Sequence, residues 1–523
     1  MTRPWWETGT IYQVYPRSFQ DTNGDGVGDL PGVERRLDHL VTLGVDAVWL
    51  SPIFPSPMAD FGYDVADYTG IAPVFGTLAD FDRLLAACHA RGLKLLLDFV
   101  PNHSSDQHAW FRASRSSRDD PKRDWYIWRD PAPDGGPPNN WVSDFGGSSW
   151  EWDEATGQYY LHAFLKAQPD LNWRNADLRA AMMDVLRFWL DRGVDGFRID
   201  VLWHIVKAAA LTDNPANPAW GPHLGERDRL LQRHSTDQPE AHAITADFRA
   251  LADGYGLASG RDRVLIGEIF LPNDRLAAWY GTPARPEVHL PFNFALLENP
   301  WDAAVLRGVI ADYEASIPAW GWPNWVIGSH DAARIAARVG EPQARVAAML
   351  LLTLRGTPTL YQGDELGIGE VTIPPHRLRD PRELREPGLG LGRDRSRTPM
   401  PWDAGPQAGF STTPDTWLPL PDDWPTRNVA AQAADGGSML ALYRALVALR
   451  RQEPALSEGS LTLIDGGDGV LAYERRLGDD RLGIALNLTG EPRAQPFIGR
   501  TLLSTLPDEG EPLRPNEGIV VRL

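Results

Sequence analysis

Short runs rich in β-formers alternate with amphipathic helical stretches along most of this chain, and that alternation narrows its possible folds more than any other feature. Strand patterns fall at 11–15, 47–50, 93–100, 196–200, 264–268, 289–293, 325–328 and 359–362. Between them lie helical patterns such as 33–43, 81–91 and 178–190; in the last, Leu178, Met182, Val185, Leu186 and Trp189 share one face. Eight β-then-α units predict an α/β fold, a (β/α)8 TIM barrel ringed by helices. At 523 residues the chain is long enough for such a barrel and its attachments.

Two spacings exceed a simple βα loop. Residues 101–170 are rich in Trp, Tyr, Ser and Gly and read as a subdomain inserted after the third strand. Residues 364–428 form a Pro- and Arg-rich insert after the eighth, so both stand over the same barrel mouth. After a helix pattern at 439–450, short alternating runs at 461–464, 470–475, 482–488 and 518–523 predict a terminal antiparallel β domain. The expected division is a barrel from 1–100 and 171–455, subdomain 101–170, and a C-terminal β-sandwich at 456–523.

A formal net charge of -19 opposes binding to phosphate backbones and anionic lipid. Cys88 is the single cysteine, so no intrachain disulfide forms, and its apolar helical setting reads as plain core. The N-terminus lacks the apolar stretch of a signal peptide, and no run of about 18 apolar residues follows, so the expected location is cytoplasmic.

In such a barrel, residues at the C-terminal strand ends converge on one pocket. The third strand brings Asp98-Phe-Val-Pro-Asn-His103, the fourth Arg198 and Asp200, the fifth Glu268, and the seventh Ser329-His-Asp331. Taken singly, an Asp at a strand end is more often a loop cap, and a lone His a structural one. Their joint occurrence in chain order overrides those readings. Glycoside hydrolysis needs one ionised carboxylate and one protonated carboxyl. Arg198 lies on the same strand face as Asp200 and favours its charge, whereas Glu268 follows an apolar strand with no cation adjacent in sequence, which suits a raised pKa and a general acid.

Those strings, with Ala59-Asp-Phe-Gly-Tyr-Asp-Val-Ala-Asp-Tyr68, Gln168-Pro-Asp-Leu-Asn-Trp173 and Ser396-Arg-Thr-Pro-Met-Pro-Trp402, resemble the α-amylase superfamily, glycoside hydrolase family 13. The closest resemblance is to its α-glucosidase and oligo-1,6-glucosidase branch, over nearly the whole length. It implies Asp200 as nucleophile, Glu268 as acid/base and Asp331 as the carboxylate that grips sugar hydroxyls and steadies the oxocarbenium-like transition state. It further implies that His103, Arg198 and His330 attend the sugar, with Asp98 as inner partner of the arginine. Asp60, Tyr63, Phe145, Phe164 and Arg397 would line a blind pocket for the non-reducing glucose, Tyr63 stacking on the ring and Asp60 and Arg397 bonding its far hydroxyls.

The implied activity is that of a retaining exo-acting α-glucosidase on terminal α-linked glucose of short oligosaccharides and disaccharides, with transfer to other hydroxyls. Alternatives of the same fold are an oligo-1,6-glucosidase or a trehalose- or sucrose-acting transglucosidase or isomerase. From another class, a non-catalytic sugar-binding or transporter-associated relative would lack catalytic carboxylates that are all present here. Two positions stand out. Ser329 replaces the Asn more frequent before the His-Asp pair, and Val201 matches the residue type associated with tolerance of α-1,6 linkages.

Asp21-Thr-Asn-Gly-Asp-Gly-Val-Gly-Asp29 spaces oxygen side chains at every second residue, with Gly26 permitting a sharp turn, as the first part of a calcium loop does. The twelfth position is Gly32 where an EF-hand has Glu. The loop resembles that of oligo-1,6-glucosidases that hold structural Ca²⁺ through Asp21, Asn23, Asp25, the Val27 carbonyl and Asp29; Mg²⁺ would suit the same oxygens. A metal-free turn is the plainer alternative.

Overall fold

The computed structural model describes residues 3–507 and 512–523. Eight strands make one all-parallel sheet: β1 (Ile11–Val14), β2 (Ala47–Leu50), β3 (Lys94–Phe99), β4 (Gly196–Ile199), β5 (Val264–Gly267), β6 (Leu290–Pro291), β7 (Asn324–Val326) and β8 (Thr357–Tyr361). Their order runs β6-β5-β4-β3-β2-β1-β8-β7, and the Asn293–Trp325 bridge joins the two ends into a barrel. The sixth strand is shorter than its pattern and ends on Pro291, which has no N–H to give.

The helix Ala176–Arg192 shows how local sequence builds the outer ring. Asn175 caps it by accepting from the amides of Asp177 and Leu178, Gly193 ends it at φ 101, and Leu178, Met182, Val185, Leu186 and Trp189 are buried. Cys88 is likewise buried on Leu78–Ala90. The helix expected at 33–43 instead breaks at Arg36 (φ -102, ψ 6) into Leu30–Arg35 and Leu37–Leu43. There the guanidinium lies 4.3 Å over the Trp402 ring, and its Nε donates to Gln20 Oε1 at 2.6 Å.

Between β3 and Ala176–Arg192 the chain forms a small antiparallel sheet of Trp128–Arg129, Trp150–Asp153 and Gln158–Leu161. The segment after β8 carries no strand and wraps the barrel mouth with short helices. The C-terminal part is one antiparallel sheet of β9 (Ser460–Asp465), β10 (Val470–Leu477), β11 (Asp480–Asn487), β12 (Arg500–Ser504) and β13 (Gly518–Arg522). Alternation sends Tyr473, Ile484 and Val520 into the barrel-side core, and Ala472, Ala485 and Val521 to an outer cluster with Phe497 and Leu513. Where a sandwich was expected at 456–523, the described residues form a single sheet. Its second layer is barrel helix on one face and loop on the other. Among the described residues no helix is long and apolar enough to cross a membrane.

Candidate active site

Sheet register assembles the centre of the site. Asp98 on β3 pairs with Arg198 on β4, and Ile199 pairs with Gly267, so Asp200 and Glu268 emerge side by side just past the strand ends. Arg198 divides its guanidinium among three carboxylates. Nη1 donates to Asp98 Oδ1 (2.8 Å) and Asp200 Oδ1 (2.7 Å), and Nη2 stands 2.8 Å from Glu268 Oε2. Val201, β-branched, sits in the left-handed region at φ 36, ψ 47, a conformation that costs about 1–3 kcal/mol. That turn aims its N–H at Glu268 Oε2 (2.7 Å), a role its sequence position did not disclose.

One cation cannot hold three buried carboxylates ionised. Burial pushes Glu268 up to about 7, with Arg198 pulling it down and Asp331 adding to the rise. Burial also lifts Asp200 well above the usual carboxylate range, against Arg198 and with Glu268, and takes Asp98 to about 6. Arg198 favours the charge of Asp200 but also that of Asp98 and Glu268, so the carboxylates titrate as a coupled group. Hydrogen bonding leaves Asp200 Oδ2 and Glu268 Oε1 without a protein partner among the described residues, in a cavity of about 550 Å³ that both residues line.

Asp331 behaves oppositely. Burial opposes its charge, but His330 and the guanidinium groups of Arg397 and Arg393 hold it well below the usual carboxylate range. Because burial keeps His330 neutral, at about 3, the lasting effect is that of the arginines. Gln13 Nε2 donates to His330 Nδ1 (2.7 Å), which places the ring proton on Nε2, 2.7 Å from the Tyr63 hydroxyl and 3.1 Å from Asp331 Oδ2. Ser329 Oγ caps the Asp331 amide at 3.0 Å, so the replacement of Asn leaves His330 held by Gln13 and Tyr63.

Asp60, Arg393 and Asp331 line the cavity together and are tied to one another. Arg393 Nη2 donates to Asp60 Oδ1 (2.8 Å) and Asp380 Oδ1 (2.6 Å), Nη1 reaches Asp331 Oδ1 (3.3 Å), and the guanidinium lies 5.2 Å over the Phe145 ring. Arg397, expected to bond the sugar, is 0% exposed and braces Asp331 Oδ1 (2.7 Å) and the His330 carbonyl (2.9 Å) from behind. The cavity wall has Arg393 in that place. His103, neutral at about 3 through burial and the Lys207 charge, shares the Gln168 amide with Asp60 (both 3.2 Å). Phe164 packs against His103 (5.1 Å) and Phe145 (5.8 Å).

Also in the lining, Phe270 and Phe294 stack at 4.0 Å with planes 5° apart, and Trp203 tilts against Phe270 at 5.5 Å. Phe270 follows Glu268 by two, and strand alternation alone could have drawn attention to it. Three loops meet above. Arg385 donates to the carbonyls of Phe145 (2.9 Å) and Gly146 (2.8 Å), Glu386 accepts from the Glu226 amide (2.7 Å), and Glu226 from the Gly147 amide (2.8 Å). Asp144 and Arg227 form an ion pair in the same wall. Apart from Phe145, no local pattern singled out these residues.

The 21–29 loop lies outside this cavity. Asp21 accepts from the amides of Asn23, Gly24 and Gly26, Asp25 from Val27, and Asp29 from Thr22 and Gly32, with Gly24 and Gly26 at φ 83 and 84. Among the described residues no three His, Cys, Asp or Glu side chains stand as a metal-holding group. The donor chemistry of Asp21, Asn23, Asp25, Asp29 and the Val27 carbonyl fits a hard cation.

Residues 13–459 match the family model for the alpha amylase catalytic domain. The chain is 40% identical to a probable alpha-glucosidase of Rhizobium meliloti (strain 1021), over 97% of this chain and 95% of that one. It is 37% identical to an oligo-1,6-glucosidase of Parageobacillus thermoglucosidasius, over 97% and 93%. The solved structure of an alpha-glucosyl transfer enzyme, XgtA, superposes with a TM-score of 0.92 at 40% identity, covering 100% of both chains. With its strand ends, barrel and full-length relatives in agreement, the chain belongs to the alpha-amylase family of glycoside hydrolases, family 13.

Proposed function

We propose that this protein is a retaining, exo-acting α-glucosidase on short α-glucosides. The observation that carries the reading is the single Arg198 guanidinium bridging Asp200 and Glu268 in a cavity also lined by the linked group Asp60, Arg393 and Asp331. The bridge holds the two carboxyls at one site; retention requires them about 5–5.5 Å apart and inversion about 6.5–9.5 Å, so the anomer released first is the deciding measurement.

In the first step Asp200 Oδ2 bonds to the anomeric carbon as the bond to the leaving oxygen breaks, and the proton on Glu268 Oε1 goes to that oxygen. Ionised Asp331 faces the positive charge that develops on the ring. In the second step Glu268 takes a proton from water, the water oxygen bonds to the anomeric carbon, and the bond to Asp200 breaks. Another sugar hydroxyl entering beside Phe270 and Phe294 would yield a transfer product; the likeness to the alpha-glucosyl transfer enzyme favours that second outcome. Maltose, isomaltose, trehalose and sucrose, followed by NMR, test both readings. Retention predicts α-glucose first. β-Glucose first would refute it, and accumulation of isomers without free glucose would remove the hydrolase assignment.

We further propose that the loop at Asp21, Asn23, Asp25, Val27 and Asp29 holds Ca²⁺ in a stabilising role. Its alternating oxygen donors support this. A chelator should lower the melting temperature by several degrees and Ca²⁺ restore it; an unchanged melt excludes the site. A cytoplasmic location agrees with the lone buried Cys88 and is checked by cell fractionation.

A further inference from the structure

Most charged side chains that line the cavity sit in ion pairs; among the described residues Glu298 and Arg382 do not. Arg198 serves Asp98, Asp200 and Glu268; Arg393 serves Asp60, Asp380 and Asp331; Arg397 serves Asp331; and Arg227 serves Asp144. Arg382 also lines the cavity, yet among the described residues no carboxylate lies within 4.0 Å of its guanidinium, and its buried Nε has no hydrogen-bond partner. Its charge is felt by Asp144, but a half-buried guanidinium with no ion pair or hydrogen bond of its own keeps donors free for a ligand.

Arg382 is also firmly placed. Its amide donates to Asp380 Oδ1 (3.2 Å), the carboxylate that grips Arg393, and three residues on Arg385 ties the same short helix to Phe145 and Gly146. It stands where the main cavity adjoins a second one of about 290 Å³, the two sharing Asp331, Ala332 and Arg382. Among the described residues its side chain makes no hydrogen bond or ion pair with the linked group Asp60, Arg393 and Asp331. The cavity also presents Asp144, Asp200, Glu268, Glu298 and Asp331, so an anionic ligand would meet like charge. A neutral polyhydroxyl group suits the site better: a guanidinium fork can donate to two neighbouring oxygens at once.

We propose that Arg382 determines specificity for the group beyond the scissile oxygen, by donating to hydroxyls of a neutral sugar aglycone or acceptor. The inference rests on the glycosidase reading above. The test compares Arg382→Met, which keeps the aliphatic stem and removes the fork, with the wild type on two kinds of substrate. Isomaltose and maltose carry a hydroxylated aglycone; phenyl α-glucoside does not. We expect kcat/KM for the disaccharides to fall about tenfold or more, mainly through KM, while that for phenyl α-glucoside stays within about twofold. Arg382→Lys should recover part of the loss, and transfer to added sugar acceptors should fall relative to hydrolysis.

Equal losses on both kinds of substrate, or no loss on either, would overturn the assignment; a melting temperature measured alongside separates misfolding from lost recognition. Because released phenol is counted whether glucose passes to water or to a sugar, the result does not depend on the hydrolysis-to-transfer ratio. A wild type inert on every α-glucoside would refute the glycosidase reading itself, and this inference with it.

Discussion

Replacing Glu268 with Gln tests the electrostatics of the centre through two independent readouts. The amide oxygen can take the place of Oε2, receiving the Val201 N–H (2.7 Å) and facing Arg198, while the NH2 occupies the position of the acid's proton. For disaccharides, losing the acid should lower kcat/KM by about 10²–10⁴-fold. An aryl glucoside with a good leaving group should keep its first step and show a burst, because the second step lacks its base. The Glu268 carboxyl is raised to about 7, so wild-type kcat/KM should fall about tenfold per pH unit above that value, and the variant should lose this alkaline limb.

Stability gives the second readout. Between the ordinary carboxyl value of 4.5 and about 7, the native state holds a proton that the unfolded chain has released. Stability therefore falls as pH rises through that window, and the accumulated penalty is about 3 kcal/mol above it. The neutral amide does not carry that penalty. Glu268→Gln should thus melt above the wild type at pH 8, with the gain fading towards pH 4.5. An alkaline limb that survives near 7 in the variant, with no pH-dependent stability gain, would refute the assignment of that proton to Glu268.

Arg393→Leu should cost about 3–5 kcal/mol in urea unfolding, since it leaves Asp60 and Asp380 buried without their cation. Arg385→Ala releases the Phe145 and Gly146 carbonyls and should raise KM about tenfold with kcat little changed; a fall in kcat alone would contradict its role as a clasp of the wall. Asp364 is buried with a long ion pair to Arg334 Nη1 (3.8 Å), and burial lifts it to about 7 against Arg334. By the same sign, Asp364→Asn should stabilise the protein above pH 7 and do little near pH 4, as denaturant midpoints at the two pH values would show.

The barrel and the places of its strand-end carboxylates were legible in the chain because both follow from short-range geometry. Alternation within β4 puts Arg198 and Asp200 on one face, and βα units have few ways to close. The edge strand Arg500–Ser504 was not legible, since only its partner Gly518–Arg522 gives it a sheet to join. Neither was the choice between Arg393 and Arg397. Both lie in a segment without period, and which one faces the sugar pocket depends on Asp60 and Asp380, carboxylates that approach from elsewhere.

Sequence by itself determined which residues can carry the chemistry. Tertiary structure decided how their charges are shared: Arg198, read locally as the guardian of Asp200, serves three carboxylates because β3, β4 and β5 bring Asp98 and Glu268 to the same guanidinium. Proton placement is a property of the whole buried cluster, and the distances that set it exist only once the barrel has closed.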